Sequence, residues 1–178
     1  MRLDLAGDDS GNFIFMKLIP LSKTGKHKGK YFAQVDDEDY EYLNQFNWHV
    51  AICKTVMYAV RKTERGKTIF YMHRIIMNVS NSNIEIDHID HNGLNNQKRN
   101  IRNATVNQNG WNKKSSIHSS SKYIGVSINN RDKNWQAGIK KNGKSFFIGA
   151  FKSEYEAAKA RDKKAKELFG EFANLNFN

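Results

Sequence analysis

Residues 122–178 constrain folding more than any other part of this 178-residue chain, because strand, turn and helix signals follow one another there in a fixed order. Strand-like runs stand at Tyr123–Asn129, Trp135–Lys140 and Ser145–Phe151. Asn129-Asn130-Arg131-Asp132 and Asn142-Gly143 supply turn chemistry between them, and Asn-Gly suits the positive backbone angles of a tight hairpin. Ser153 with Glu156 three residues on reads as a capping box. It opens an Ala/Lys-rich helix that closes at Gly170, a residue suited to the left-handed C′ position. Ala157, Ala158, Ala165, Leu168 and Phe169 share one helical face, and small alanines let a helix sit close to a sheet. The order dictates a three-stranded antiparallel sheet backed by one helix. Alternation turns Val126, Ile128, Trp135, Ala137, Ile139, Phe146 and Ile148 toward that helix. Ser127, Asn129, Gln136, Lys140, Ser145 and Phe147 then face outward, with Arg131 and Lys144 on adjoining turns.

Upstream, Ser115-Ser116-Ile117-His118-Ser119-Ser120-Ser121 lacks periodicity and reads as a short flexible linker at 115–121. The N-terminal part is strand-rich, with β-branched and aromatic runs at Phe13–Ile19, Tyr31–Val35 and Val56–Val60. A basic turn, Thr24–Lys30, separates the first two. Asp36 or Asp37 caps a short helix through Phe46, its first turn acidic where the helix dipole favours negative charge. Ile69–Met72 is expected to end a strand before a short helix at His73–Met77. Cys53, beside Val50-Ala51-Ile52, is expected to be a buried small hydrophobe. The fold class is therefore α+β.

Charge narrows the partners. Lys plus Arg number 29 against 18 Asp plus Glu, a net of +11. Residues 122–178 hold 12 basic and 6 acidic side chains, net +6, which leaves 17 and 12, net +5, for the first 121. Both halves are basic, so a polyanion is the natural partner: nucleic acid first, an anionic membrane surface second. No run of 18 apolar residues is present to span a membrane. Met1–Asn12 has one Arg, three Asp and no apolar core of a secretory signal. A lone cysteine excludes an internal disulfide and any Cys-paired zinc site. The chain reads as intracellular, in the cytoplasm of a bacterial or phage-infected cell, with no obligate protein partner implied.

The chemistry concentrates in Ile84–Asn109. Asp87-His88 at the end of an apolar strand offers a hard oxygen ligand beside a base that titrates near neutrality. An Asn/Gly-rich loop follows, then a short strand Ile101–Ala104 and Thr105 as N-cap of a helix carrying Asn107, Asn109 and Asn112. A hairpin closed against that helix is expected to bring Asp87, His88 and Asn109 side by side. His88-Ile-Asp-His91 has a spacing that zinc sites use, but without further Cys or His it is incidental.

These residues resemble the HNH (ββα-metal) nuclease family, particularly its phage-encoded and homing-type members. The Asp-His pair, the Leu94-Asn-Asn loop, Asn100 twelve residues after His88 and Asn109 twenty-one after it fall at family spacing, and His73-Arg74 matches an upstream pair. The resemblance covers residues 68–114. It implies a DNA endonuclease with one divalent metal, Mg²⁺ or Mn²⁺, held by Asp87 and Asn109. His88 would be the general base and Asn100 would brace the loop that orients it. His73 and Arg74 would lie toward phosphate. His91 stands where the family often has Gly and is given no role. A second resemblance follows the linker: Tyr123-Ile-Gly-Val, Trp135–Lys140, Phe147–Phe151 and Glu156-Ala-Ala with Ala160-Arg-Asp162 are similar to the plant ethylene-response-factor (Apetala-two) domain, which lays its sheet in the DNA major groove. It implies double-stranded DNA under Ser127, Asn129, Arg131, Lys140, Lys144 and Phe147.

The expected layout is thus a strand-rich region at 1–67, a nuclease core at 68–114, the linker at 115–121 and a DNA-binding domain at 122–178. A monomer with one such centre would nick one strand. Two other classes share this basic charge: a non-catalytic DNA-binding regulator with a vestigial core, and an RNA-binding or ribosome-associated basic protein, for which no stacking motif is present. Lys163, Lys164 and Lys166 read as the solvated face of the last helix.

Overall fold

The computed structural model describes residues 3–7, 13–53, 56–63, 66–112 and 120–177, with the backbone alone at 3–7, 13 and 14. The chain forms two compact units, residues 1–104 and 105–178. Both are mixed α and β with antiparallel sheets.

In the first unit, β1 (Leu3–Gly7), β2 (Phe13–Leu21) and β3 (Tyr31–Asp36) form one sheet in sequential order. α1 (Asp37–Leu43) follows directly, with Asp36 as N-cap and Asp37, Glu38 and Asp39 in its first turn. A second sheet joins β4 (His49–Cys53), β5 (Val56–Lys62) and β6 (Ile69–Tyr71), and α2 (Met72–Ile76) continues from its last strand. A two-stranded hairpin, β7 (Glu85–His88) with β8 (Ile101–Ala104), completes the unit. One core serves all three pieces. Ile19, Leu21, Ala33, Val35, Leu43, Trp48 and Ala59 pack with Met72 and with Leu94 from the β7–β8 loop. Trp48 is fully buried, and its indole N–H reaches the Leu43 carbonyl at 2.8 Å, so its polar edge is satisfied. Cys53 is exposed, contrary to the expectation for it. It ends β4, an edge strand with only β5 paired to it among the described strands.

The second unit begins with α3 (Val106–Trp111), for which Thr105 and Gln108 form a reciprocal capping box. Its sheet is β9 (Val126–Asn129), β10 (Asn134–Lys141) and β11 (Lys144–Phe151), with β10 central. α4 (Glu154–Phe169) backs it, capped by the Ser153 hydroxyl, which accepts from the Glu156 N–H at 3.1 Å. Ala157, Ala158 and Ala165 are completely buried against Val126, Ala137 and Ile139, as the small-residue face required. Trp111 of α3 stacks on Phe169 at 4.7 Å. The expected linker lies outside the described residues except for its last two serines. Ser121 is buried, donates to Glu154 at 2.6 Å and accepts from the Tyr123 N–H, while the Ser120 hydroxyl accepts from Ile128.

Strand alternation succeeds on the central strand and slips on β11. Trp135, Ala137 and Ile139 face the helix, but the register shifts between Ala137 and Gly138, which oppose Gly149 and Phe147. Ile148 is the extra residue of this bulge, so Gly149 and Phe151 beyond it take the helix side. Ile128 and Phe146, both expected under α4, are 39% and 45% exposed because they stand on edge strands that the helix only partly covers.

Candidate active site

Hairpin register, not chain proximity, builds the centre of the first unit. β7 pairs with β8 so that Asp87 stands opposite Arg102 and His88 opposite Ile101. Ile86, Asp87 and His88 are all buried in succession, so this short strand is covered on both faces. Burying the Asp87 carboxylate requires a counter-charge. Arg102 provides it, with Nε at 2.9 Å and Nη2 at 2.7 Å from the same oxygen, Oδ2.

The loop from β7 to β8 is held by its own amides. Asn100 donates from Nδ2 to Asp90 Oδ1 at 2.9 Å and to the Asn95 carbonyl at 2.8 Å, and its Oδ1 accepts from the Asp90 N–H at 3.1 Å. Asp90 also accepts from the Asn92 N–H and the Asn95 side chain, both at 2.8 Å. This explains the Asn/Asp composition of the loop: short polar side chains close turns onto the backbone. β3 anchors the loop from below. Gln34 exchanges backbone bonds with Leu94 and Asn96, and Asp36 accepts from Gln97 Nε2 at 3.0 Å and the Lys98 N–H at 2.8 Å. His91 has φ +63 and donates its N–H to the His88 carbonyl, a left-handed turn position that accounts for a glycine being favoured there.

An aromatic cage surrounds His88. The edge of its ring meets His73 at 5.0 Å, and Tyr58 lies 5.9 Å away. His73 in turn stacks on Tyr71 at 5.3 Å. Gly93 permits the approach: a Cβ there would collide with the Met57 carbonyl and come within 2.7 Å of the Tyr58 ring. Burial pushes the His88 pKa down, opposed in part by a hydrogen bond with the buried Asn96 side chain and by the charges of Asp90 and Asp87. Burial, then the neighbouring His88 and Arg74, push His73 down to about 3. Both imidazoles are therefore neutral near pH 7. A neutral His88 is a proton acceptor.

Asp87, His88 and Asn100 thus meet in one hairpin and its loop. Asn109 stands on α3, in the second unit. His73 is buried against His88, and its Nδ1 has no hydrogen-bond partner among the described residues. Arg74 donates to the carbonyls of Ile84 at 2.8 Å and Asn81 at 2.6 Å, fixing the approach to β7. On the second unit's sheet, Ser127, Lys140 and Phe147 line an open groove with Gln136, Gly138 and Ser145, and Phe147 is 69% exposed. Arg131 and Lys144 are exposed on the turns. Asn129 is committed to its own turn, accepting from Arg131 and Asp132 and donating to the Asp132 carboxylate at 2.8 Å.

No family model matches the chain. It is 34% identical over 165 residues to an uncharacterized HNH endonuclease of Acanthamoeba polyphaga mimivirus, an alignment covering 92% of this chain and 84% of that protein. The chain belongs to the HNH endonuclease family. Asp87, His88 and Asn100 share one hairpin and its loop, and that hairpin adds neighbours that the sequence alone does not show. Arg102 is cross-strand from Asp87, which only the β7–β8 register reveals. Tyr58 and Asn96 complete the surroundings of His88, and of these only Asn96 lay within the legible motif. Among the described residues no three His, Cys, Asp or Glu side chains cluster as a metal site. No described helix is long and apolar enough to cross a membrane.

Proposed function

We propose that this HNH endonuclease hydrolyses phosphodiester bonds of double-stranded DNA with His88 as general base. The carrying observation is the His88 imidazole, buried next to Asp87 against His73 and Tyr58, with burial lowering its pKa and Asn100 bonding the following loop at Asp90 and Asn95. His88 takes a proton from water, the resulting hydroxide attacks phosphorus, and the bond to the 3′ oxygen breaks as that oxygen leaves and is protonated from solvent. Asn100 acts by holding the loop 89–97 and thereby the backbone from which the His88 ring projects.

Asp87 and Asn109 are the residues that would hold one divalent cation, Mg²⁺ or Mn²⁺. Their oxygens are the hard donors such ions prefer, and two protein ligands suffice because waters and phosphate oxygens fill the other positions. When bound, the cation supplies charge stabilisation to the phosphorane and the departing oxygen. The donor chemistry fits, with Asp87 already oriented by Arg102. The groove of the second unit, with Ser127, Lys140 and the exposed Phe147, supports docking of the duplex as in Apetala-two domains, Arg131 and Lys144 reaching phosphates from the turns. His73 is assigned to the His88 cage and Arg74 to the loop before β7. The neutralised Asp87 is the one observation that favours the rival reading, a DNA-binding regulator without catalysis. Supercoiled plasmid separates them: nicked circles with Mg²⁺ or Mn²⁺ and none in chelator support the nuclease, whereas binding without nicking in either metal supports the regulator.

A further inference from the structure

Residues 18–35 contain no Asp or Glu, yet they hold Lys23, Lys26, His27, Lys28 and Lys30 in the turn between β2 and β3. All four lysines are exposed, and none is in an ion pair among the described residues. Of the other described lysines in the same unit, Lys17 is neutralised by Asp37 and Glu41 and Lys98 by Glu38 and Asp39, while the exposed Lys62 and Lys67 stand singly and not in a cluster. Four cations on one turn, in no ion pair among the described residues, make a local positive field.

The turn is built rather than loose. Gly25 and Gly29 take φ +75 and +70, and a 3-10 segment at Gly25–His27 is closed by Lys28 N–H to Gly25 and Lys30 N–H to His27. The His27 ring rests on Tyr31 at 5.6 Å. At its base Ser22 adopts φ +59, and its N–H donates to the buried Trp48 carbonyl at 2.7 Å. The lysines are therefore displayed on a fixed backbone, which lowers the ordering cost of binding.

Its position relates it to the candidate centre through β3. The strand leaves the turn at Tyr31 and ends at Asp36, which holds Gln97 and Lys98 of the active-site loop. Five strand steps of about 3.3 Å separate the two ends, roughly 17 Å. That is about five base pairs at about 3.4 Å of axial rise each.

We propose that the Lys23–Lys30 turn is a second DNA contact of the nuclease unit, binding backbone phosphates of the duplex flanking the cut. It rests on the reading of the chain as a DNA endonuclease. Lysine at these positions serves as a point charge toward phosphate and carries no base readout, so the contact adds affinity without sequence preference.

The test compares the full chain with Lys23→Gln/Lys26→Gln/Lys28→Gln/Lys30→Gln, which spares both glycines. Fluorescence anisotropy on an arbitrary duplex in chelator, from about 0.05 to 0.5 M salt, gives the slope of log affinity against log salt. Four phosphate contacts at about 0.9 each predict a slope shallower by about 3.6, with the two proteins converging near 1 M. A control neutralising Lys159, Lys163, Lys164 and Lys166 on α4 should change the slope by less than about one unit. Equal effects from both variants, or a slope unchanged by the turn variant in a protein with unaltered melting, overturn the proposal. Lost binding to phosphatidylserine vesicles with intact duplex binding overturns it too, in favour of a membrane contact. Plasmid nicking by the wild type is scored separately, so a nuclease whose turn does not bind DNA and a DNA-binding turn on a non-nuclease are distinct results.

Discussion

Replacing Arg102 with Met should loosen the β7–β8 hairpin far more than losing a surface charge would. The Arg102 and Asp87 side chains are 14% and 4% exposed, and two guanidinium donors converge on one carboxylate oxygen. Exposed ion pairs contribute about 0–1 kcal/mol, but removing one partner of a buried pair costs about 3–5 kcal/mol because the other charge is stranded. Native-state hydrogen exchange on the peptide covering residues 85–104 reads this locally. At about 1.4 kcal/mol per tenfold, protection should fall by roughly 10²- to 10⁴-fold. The double variant Asp87→Asn/Arg102→Met removes the stranded charge and should recover most of that loss. Mn²⁺ added to Arg102→Met should also restore part of it, since a cation bound to the folded state alone stabilises by mass action. Protection within about threefold of wild type, under about 0.7 kcal/mol, would refute the buried-pair reasoning.

Gly93→Ala places a methyl against the Met57 carbonyl and the Tyr58 ring, so it should cost about 1–3 kcal/mol in urea unfolding and lower kcat by displacing the His88 cage. His73, neutral in the fold with its pKa near 3, stabilises above pH 6.5 and loses that contribution as pH falls, because the unfolded chain takes up the proton first. About 2 kcal/mol should vanish between pH 7 and 5, and His73→Phe should flatten the dependence measured by urea midpoints. Burial likewise moves the acid limb of the cleavage rate below the ordinary His value of about 6.5, which a pH–rate profile at saturating DNA will locate. Lys140→Gln/Phe147→Ala should weaken duplex binding and reduce the salt slope by about one unit, the share of the single lost cation.

How much was legible depends on whether a feature is local in the chain. The second unit's strands, its Ser153 cap and its alanine face were readable because turn chemistry and helical spacing act within a few residues. On β11 Ile148 packs on the helix-side core as alternation requires, but alternation fails beyond it because a bulge arises from pairing with β10 and leaves no mark in one strand's pattern. The burial expected of Cys53 from its apolar neighbours fails because an edge strand can leave Ile52 and Cys53 exposed. In the candidate site, the Asp87-His88 pair and Asn100 were legible by spacing. Arg102 was not, because its role comes from cross-strand register, and neither was Tyr58, which arrives from a strand about thirty residues upstream through the opening at Gly93. The Ser-rich stretch looked like a boundary by composition, yet Ser120 and Ser121 bond into the second unit, and α3 before it stacks Trp111 on Phe169.

The central claim is that His88 activates water, and single-turnover cleavage by His88→Ala beside wild type tests it most directly. With metal and DNA saturating, the variant should lose about 10²- to 10⁴-fold in rate while its duplex affinity, read by anisotropy in chelator, stays within about threefold. A well-folded His88→Ala protein that cuts at near wild-type rate would contradict the account.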